Sequence, residues 1–519
     1  MLRDQIRMAD EAGQSLKVRA THKFFHSTTA FACPGNTTDI FAPGAPSASP
    51  FGAPAGRTVG VLLDRMDRTL AVDRERNQVT IQAGMKVKKL FDEAARQGMS
   101  VPLGSPPAFA DLMVGGVMLT GAHGSNFGGK SCLSDIMLSV TWVDASGAVV
   151  RSTRDSPEGR AIVGSLGLLG VVTEVTLQLT PASNTRFDTV WKKSDASIAT
   201  DILEMLQETP HMLVVWRPDM NRYNAVRLRE VPLSTPDTGA TQTIELPAFV
   251  ASAMGTTLRT WEEYASPPRV LDEVMCMVSK EVSISHGWAS STAGRVLRSG
   301  VGGTNYLQSV SCGDQCAWEA DEANLAMWDT HFTTDIRNLA PWMEDVRAVM
   351  EKDFWKPGQA HRGKCLPPGY FWLRFGSGSD DYINPTAGLN GTVNLQMSFM
   401  TSKATAPRWG IKHGHVLETL EQLTLCKYMG HPHWGKNHHR TFTHPDCPVR
   451  ALYPKFDQFL EIKDRVDPQG IFEPPMFTKI IKGAAPRYGP RCALSGECFC
   501  KEDAHCGPGR KCVASAAFP

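Results

Sequence analysis

The sequence predicts an α+β protein with more than one domain, and three observations support this. The chain has 519 residues, which is longer than a chain that folds around a single hydrophobic core usually is. Segments rich in β-branched residues alternate with amphipathic segments of helical period. The C-terminal end is crowded with cysteine and poor in apolar residues, so it needs covalent links rather than a core. At 42% hydrophobic and 21% charged residues the chain is typical of globular proteins.

Charge and hydropathy narrow the functional classes. Lys and Arg number 54 and Asp and Glu 53, so the net charge is +1 and the basic surface of a nucleic-acid-binding protein is not expected. No apolar run reaches the roughly 18 residues of a transmembrane helix, so no membrane span is expected.

The elements of the first 182 residues can be taken in order. An amphipathic helix opens the chain, and SLKVRATHKFF follows as a strand. The strand NQVTIQAGM leads into the helix KVKKLFDEAARQGM, which ends at Gly98. DIMLSVTWVDASGAVV predicts a hairpin turning at Ala145-Ser146-Gly147, and GLLGVVTEVTLQLT is a further strand. Segment 41–58, rich in Pro, Gly, Ala and Ser, is expected to be an exposed loop.

The remainder divides into three parts. Residues 183–425 contain the strands HMLVVWRP, YNAVRLREV and TVNLQMSFM with helices near 196–208 and 335–352, which predicts a second α+β domain. Residues 426–483 hold a helix that stops at Asp467-Pro468. Residues 484–519 form the cysteine-rich tail.

The tail predicts a disulfide-bonded segment. It contains five cysteines, namely Cys492, Cys498, Cys500, Cys506 and Cys512. Their spacing does not match paired C-x2-C zinc ligands, although zinc is the alternative, so no metal site is assigned. We expect most to be disulfide-bonded and the odd one to pair elsewhere or stay free. Cys312 and Cys316 form a further close pair in a loop-like context.

The compartment is predicted from the same features. Disulfides and the sequons at Asn36 and Asn390 favour a secretory route, ending outside the cell or in a membrane-associated lumen. The polar start of the chain has no apolar signal-peptide core, so either the protein is cytosolic or this sequence begins inside a longer precursor, and we favour the second alternative.

Three short motifs carry the chemistry. The first, from Val114 to Ser125, is glycine-rich, and glycine lets backbone N–H groups approach an anion or a flat ring. The second, SLGLLGVVTEV, is a glycine pair that feeds an apolar strand. The third, HWGK from His433 to Lys436, places a cation beside Gly and Trp. Taken singly, these patterns also suit a ligand-free turn, a turn into a core strand and a surface loop.

Together, in this order, the motifs resemble the vanillyl-alcohol-oxidase-type FAD oxidoreductases, and in particular the aldonolactone oxidases of the plant L-gulonolactone oxidase type. The resemblance covers nearly the whole chain and includes the cysteine-rich tail. It implies a two-lobed PCMH-type FAD-binding domain over 1–182 and an α+β cap over 183–425. Residues 426–483 would return to the flavin with HWGK, and 484–519 would be the disulfide tail.

The resemblance also implies the cofactor and its contacts. FAD would be bound by His26, Ser27, Gly115, Gly116, Thr120, Gly121, His123, Gly124, Ser125, Gly167, Gly170, Val172 and Lys436. His26 corresponds to the position that often carries FAD covalently. Both glycines that normally precede it in the loop are replaced here, so covalent and noncovalent binding both stay open.

The implied catalytic residues are Lys436, Arg374 and His433. Lys436 would stabilise the negative charge of the reduced flavin, and Arg374 would orient the lactone. Many relatives pair this arginine with an acid two residues earlier, but Trp372 stands there, as in the plant type. His433 is the candidate base.

The implied reaction is oxidation of an aldono-1,4-lactone of the L-gulono or L-galactono type at C2, with ascorbate or an analogue as product. Dioxygen or another acceptor would reoxidise the flavin. Two alternatives are a secreted carbohydrate or alcohol oxidase of the same fold and a flavin-binding protein without turnover. The sequence therefore predicts an FAD-linked oxidoreductase whose partners are a small sugar lactone and an electron acceptor.

Overall fold

The structure is a computed structural model that describes residues 2–21, 31, 56–242, 248–264, 268–284, 289–291, 296–311, 324–354, 364–406 and 408–514. Several predicted features lie outside these residues: most of the 41–58 loop, His26 and Ser27, the Cys312 and Cys316 pair, and the sequon at Asn36.

The N-terminal part contains three sheets. Its elements are α1 (Leu2–Glu11), β1 (Ser15–Thr21), β2 (Gly56–Leu62), β3 (Thr69–Asp73), β4 (Gln78–Gln82), α2 (Val87–Arg96), β5 (Met99–Ser100), α3 (Val114–Thr120), β6 (Met137–Val143), β7 (Val149–Thr153), α4 (Pro157–Ile162), β8 (Val171–Gln178) and β9 (Thr180–Pro181). Strands β1 and β2 pair in parallel, β5 pairs with β9, and five antiparallel strands run in the order β3-β4-β8-β6-β7. The predicted hairpin is confirmed as β6–β7, with Gly147 at a positive φ of 76° in its turn.

The middle part is built on one large antiparallel sheet. Its elements are β10 (Asn184–Ser194), α5 (Ile198–Glu208), β11 (His211–Arg217), β12 (Arg222–Val231), β13 (Ala240–Thr241), α6 (Ala248–Glu262), α7 (Arg269–Ile284), β14 (Ala289–Ser291), β15 (Val296–Leu297), β16 (Ser299–Gly303), α8 (Thr304–Leu307), β17 (Leu325–Asp335), α9 (Leu339–Phe354), β18 (Gly369–Ser377) and β19 (Gly391–Ser402). Eight strands form the sheet in the order β16-β10-β12-β11-β18-β19-β17-β20, where β20 comes from the C-terminal part.

The C-terminal part contains α10 (Gly414–Gln422), β20 (His431–Pro432), α11 (His439–Phe442), α12 (Phe456–Val466) and α13 (Pro475–Lys482). A π-helical turn, Leu423–Lys427, connects α10 to the approach to β20. Because β20 pairs with β17, this part extends the large sheet and brings the HWGK segment to its edge.

The large sheet has two different faces. On β18, the side chains of Phe371, Leu373 and Phe375 lie in the main hydrophobic core. Since successive side chains of a strand point to opposite faces, Trp372 and Arg374 face the other way. That second face carries the polar groups of the candidate site.

Four disulfides lie in the described part of the chain: Cys276–Cys365, Cys426–Cys447, Cys492–Cys498 and Cys500–Cys512. The prediction for the tail is confirmed, since four of its five cysteines are paired and Cys506 is a thiol. Cys132 is a second, buried thiol. The division of the chain at residues 182, 425 and 483 stays a prediction.

Candidate active site

The three motifs meet in space. Most of the glycine-rich segment forms the short helix α3, which the sequence was not expected to form, and Gly121 ends this helix at a φ of 66°. The second motif is bonded to this helix, because Leu166 N donates to Leu119 O at 2.8 Å. A Cβ added to Gly435 of HWGK would lie 3.7 Å from the Thr120 side chain. Segments about 300 residues apart in sequence therefore form one site.

Three buried histidines form its centre. His123 follows α3, His331 lies on β17 and His433 begins HWGK, and they are 2%, 0% and 4% exposed. His123 Nδ1 donates to Gly124 O at 2.9 Å, so Nε2 of the neutral ring is the acceptor for His331 Nε2, 3.0 Å away. The rings of His331 and His433 are stacked with centroids 4.9 Å apart. HWGK is therefore not a surface loop.

These bonds fix where the free lone pair of the cluster lies. His331 donates through Nε2, so its Nδ1 is an unprotonated acceptor, and within the described residues it has no hydrogen-bond partner. His433 Nδ1 already accepts the amide of Gly435 at 3.0 Å. Burial holds the pKa values of His123 and His331 well below the ordinary histidine value, and the neighbouring cations lower them further.

A chain of four polar side chains crosses the same face of the sheet. Arg374 donates through Nη1 to His123 O at 2.7 Å and through Nη2 to Gln396 Oε1 at 2.8 Å. Gln396 Nε2 donates to Asp329 Oδ1 at 3.2 Å, and Asp329 Oδ2 lies 3.4 Å from Lys436 Nζ. The chain thus links β18, β19, β17 and the HWGK segment.

Burial and the carboxylate of Asp329 shift the pKa values of the two cations in opposite directions. Burial lowers the pKa of Lys436, Asp329 raises it, and Arg374 lowers it. Burial lowers the pKa of Arg374 to about 10, against the attraction of Asp329. Two cations around one carboxylate leave the face with a net positive charge, which suits a site where negative charge develops.

The glycines predicted to contact the cofactor divide into two groups. A Cβ on Gly121 would lie 2.5 Å from Pro385 Cδ, one on Gly124 2.2 Å from Gly104 O, one on Gly115 3.0 Å from Ala83, and one on Gly170 2.3 Å from Val143 O. These four are required by close packing of the protein itself. A Cβ on Gly116 would meet nothing within 4 Å, and one on Gly167 nothing nearer than 3.8 Å.

The remaining predicted contacts have defined places. Ser125 Oγ donates to Met212 O and accepts from Phe375 N, which ties the segment after α3 to the large sheet. Thr120 Oγ1 donates to Gly116 O at 2.9 Å, and Val172 is buried on β8.

The site fits a flavin on three observations. The α3 backbone at Gly116 is open, as a flat ring or a phosphate requires. His331 Nδ1 and Arg374 Nε are buried and, within the described residues, lack partners. The positive face of Lys436 and Arg374 suits a group that gains negative charge. Asp329, His331 and Gln396 were not predicted. For Asp329 and His331, the polar residues within the β17 segment LAMWDTHFTTD were the available signal, whereas Gln396 lies on β19.

Comparison with known proteins decides the family. Residues 36–153 match the family model described as an FAD binding domain, and residues 400–480 match the one described as D-arabinono-1,4-lactone oxidase. L-gulonolactone oxidase 2 of Arabidopsis thaliana is 26% identical over 528 residues, covering 97% of this chain and 82% of the relative. A second Arabidopsis thaliana protein, named "Probable truncated L-gulonolactone oxidase 7, mitochondrial", is 35% identical over 199 residues, covering 38% of this chain and 73% of that protein. The chain belongs to the L-gulonolactone oxidase family.

The fold agrees with this family. A structure described as a solvent-stable cholesterol oxidase superimposes with a TM-score of 0.65 at 16% identity and covers 91% of both chains. The expected α+β fold of PCMH type is confirmed, and as a member of this family the protein is an FAD-linked oxidoreductase with FAD as its cofactor. Among the described residues no helix is both long and apolar enough to cross a bilayer.

Proposed function

We propose that this oxidoreductase oxidises the C2 hydroxyl of an aldono-1,4-lactone of the L-gulono or L-galactono type, giving ascorbate or an analogue. The observation that carries the proposal is the buried chain from Arg374 through Gln396 and Asp329 to Lys436, which faces the histidine of the glycine-rich motif. The names of the relatives support the lactone as substrate. Dioxygen or another acceptor takes the electrons in the final step.

Bound FAD would supply the hydride acceptor, and the side chains of the site would stabilise the charges that develop during the reaction. As the proton leaves the substrate hydroxyl, negative charge develops on its oxygen, and Arg374 is suited to bind it because a guanidinium donates along several fixed directions. Departure of the hydride from the carbon then leaves a carbonyl. Its Nε has no partner within the described residues, so this donor is available. Lys436 provides a fixed positive charge whose effect is greatest when negative charge has developed.

The proton of the substrate hydroxyl needs an acceptor. His433 was the sequence-based candidate, but its Nδ1 accepts the Gly435 amide. His331 carries the unprotonated Nδ1, and it has no partner within the described residues. Of the stacked pair, His331 is therefore the one with a lone pair left to accept the proton.

The compartment follows from the cysteines. Four disulfides, of which two staple the tail, are typical of proteins that fold in an oxidising environment. We propose a secretory-pathway or extracellular location on this basis.

Anaerobic reduction of the purified yellow protein tests the function. The panel contains L-gulono-, L-galactono- and D-arabinono-1,4-lactone, with open-chain L-gulonate and a sugar alcohol as controls. We expect the flavin to bleach with one or more lactones and not with the controls. Bleaching by the sugar alcohol alone would indicate a carbohydrate oxidase, and bleaching by dithionite alone a flavin protein without turnover.

The matched variant is Arg374→Lys, which keeps the charge and loses the branched donor. It should slow bleaching by the lactone and leave bleaching by dithionite unchanged, because dithionite needs no substrate site.

A further inference from the structure

The two buried cations of the site need a counter-charge. The side chain of Lys436 is 11% exposed and Arg374 is 4% exposed, and a buried cation is costly unless it is paired. Trp372, two residues before Arg374 on β18, offers no carboxylate. The nearest anion must therefore come from another strand.

Asp329 on β17 is that anion. Its side chain is 1% exposed, and its two oxygens face different partners, Oδ1 the amide of Gln396 and Oδ2 the ammonium of Lys436. Strand β19 separates β17 from β18, and on it Gln396 pairs in register with Trp372 on one side and His331 on the other.

The side-chain amide of Gln396 connects Asp329 to Arg374, and only one orientation of the amide allows both hydrogen bonds. Its Nε2 donates to Asp329, so its Oε1 is free to accept from Arg374 Nη2 at 2.8 Å. A flipped amide would place a donor against the guanidinium and an acceptor against the carboxylate. The orientation of the amide is thus set by the charges at its two ends.

We propose that Asp329 is a positioning residue of the active site, which keeps Lys436 charged and in place and, through Gln396, fixes the direction of Arg374. The inference rests on the role proposed above for Lys436. It assigns Asp329 no contact with substrate, since both of its oxygens face protein partners.

The pH dependence follows from the charges around the pair. In the described part of the chain, the groups that interact electrostatically with Asp329 or Lys436 include Arg374 and Tyr370 on β18, His331 on β17, His123 after α3, and His438 after HWGK. Burial, acting most strongly, holds the pKa values of the three histidines below the ordinary value and raises that of Tyr370 to about 12, so around neutral pH the charged members are Asp329, Lys436 and Arg374. Removing the anion therefore makes deprotonation of Lys436 easier.

The experiment measures the midpoint potential of the bound FAD as a function of pH in holoenzyme variants. A titrating group near the flavin appears as a bend, which is a change of slope in the plot of potential against pH. A bend that is present in the natural protein and absent in Lys436→Met reports the titration of Lys436. In Asp329→Asn we expect the bend to move down by about one pH unit or more, because an opposite charge at this distance has an effect of that size. Below the bend the potential should rise, because the site has lost a negative charge.

The control is Asp195→Asn. Asp195 is a buried aspartate that accepts from Trp216 Nε1 at 2.9 Å and lies 3.6 Å from Arg347, outside the site. This variant should lose stability without moving the bend. Asp329→Glu, which retains the charge, should bring the bend back toward its natural position.

A second variant tests the hydrogen bonds that connect Asp329 to Arg374 through Gln396. Gln396→Met keeps the bulk of the side chain and removes both hydrogen bonds, so the lactone KM should rise about tenfold while the bend stays in place. This variant keeps the proposal testable if Asp329→Asn does not fold.

The outcomes separate the two proposals. Identical plots for the natural protein and Lys436→Met would refute the role of Lys436. A bend that distinguishes those two proteins but does not move in Asp329→Asn would refute the role of Asp329 alone. An unchanged KM in Gln396→Met would refute the connection to Arg374.

Discussion

Gly116 lies within α3 and Gly121 directly follows its last residue, and the structure predicts opposite consequences for the same substitution at the two positions. Gly121 ends the helix at a φ of 66°, and an added Cβ would lie 2.5 Å from Pro385 Cδ and 2.6 Å from Asn384 Oδ1. Gly116 lies within the helix, and an added Cβ would meet nothing within 4 Å. Gly121→Ala should therefore affect the fold, and Gly116→Ala should affect what binds there.

The magnitudes follow from these geometries. For Gly121→Ala, the left-handed conformation costs about 1–2 kcal/mol, and the contact with the rigid proline ring adds to it. For Gly116→Ala, replacing glycine inside a helix should stabilise the protein by about 0.5–1 kcal/mol, because alanine loses less backbone freedom on folding. The new methyl group would then occupy the open surface that the cofactor is proposed to use.

The assay pairs thermal unfolding of the flavin-free protein with the visible absorbance of bound flavin per protein. We expect Gly121→Ala to lower the unfolding temperature by several degrees. Gly116→Ala should keep or raise the unfolding temperature and lower the flavin content. Full flavin content in Gly116→Ala would show that the cofactor does not approach α3 at this position. An unchanged unfolding temperature in Gly121→Ala would refute the close contact with Pro385.

Four further predictions concern separate parts of the molecule. Lys436→Met should slow flavin reduction by substrate on the order of 100-fold and weaken the flavin–sulfite adduct, and unchanged values for both would show that the charge has no role. Alkylation of the unfolded protein without reductant should label Cys132 and Cys506 but none of the eight cysteines in the four disulfides, as peptide mass spectrometry would show. Acid precipitation should leave the yellow colour in the pellet if His26 carries FAD covalently, as predicted, and in the supernatant if it does not. Burial raises the pKa of Glu262 to about 7 from 4.5. Its contribution to the free energy of unfolding is therefore fully present below pH 4.5, and about 3 kcal/mol of that free energy is lost as the pH rises from 4.5 through 7. Glu262→Gln should reduce this dependence of the unfolding free energy on pH, as denaturant unfolding at several pH values would show.

Most strands could be predicted because their apolar pattern is local. The hairpin β6–β7 is an example, since a turn sequence separates two β-branched runs of matching length. The helix in the glycine-rich segment was not predicted, although Val114, Val117 and Met118 have helical spacing and are buried. Their packing outweighed the low helix propensity of two adjacent glycines.

The sequence pointed to those candidate residues that lie in recognisable motifs, and it did not point to the others. His123, Arg374, His433 and Lys436 lie in such motifs or beside them. Asp329 lies in a strand whose neighbours are β19 and β20, more than 50 residues further along the chain. The polar residues of β17 single out that strand, but no local pattern reveals which strands become its neighbours, so the position of Asp329 beside Lys436 could be found only from the order of strands in the sheet.

The tail shows a related limit. Its cysteines predicted a disulfide-bonded segment, but they did not predict which part of the protein this segment contacts. In the structure Arg440, the second residue of α11, donates its amide to Gly496 O at 2.9 Å and its guanidinium to Ala493 O at 3.2 Å. The same guanidinium forms ion pairs with Glu418 at 2.9 Å and Glu421 at 2.6 Å, and Glu421 is fully buried.

These contacts fix α11, which begins three residues after Lys436. The loop between Cys492 and Cys498 supplies both of the carbonyls that Arg440 binds, so this disulfide constrains the backbone that leads to Lys436. A buried ammonium needs such support, because a small displacement from Asp329 would leave two unpaired charges in a poorly solvated site. The cysteine-rich tail and the HWGK segment are therefore one structural unit, although the sequence presents them as separate features.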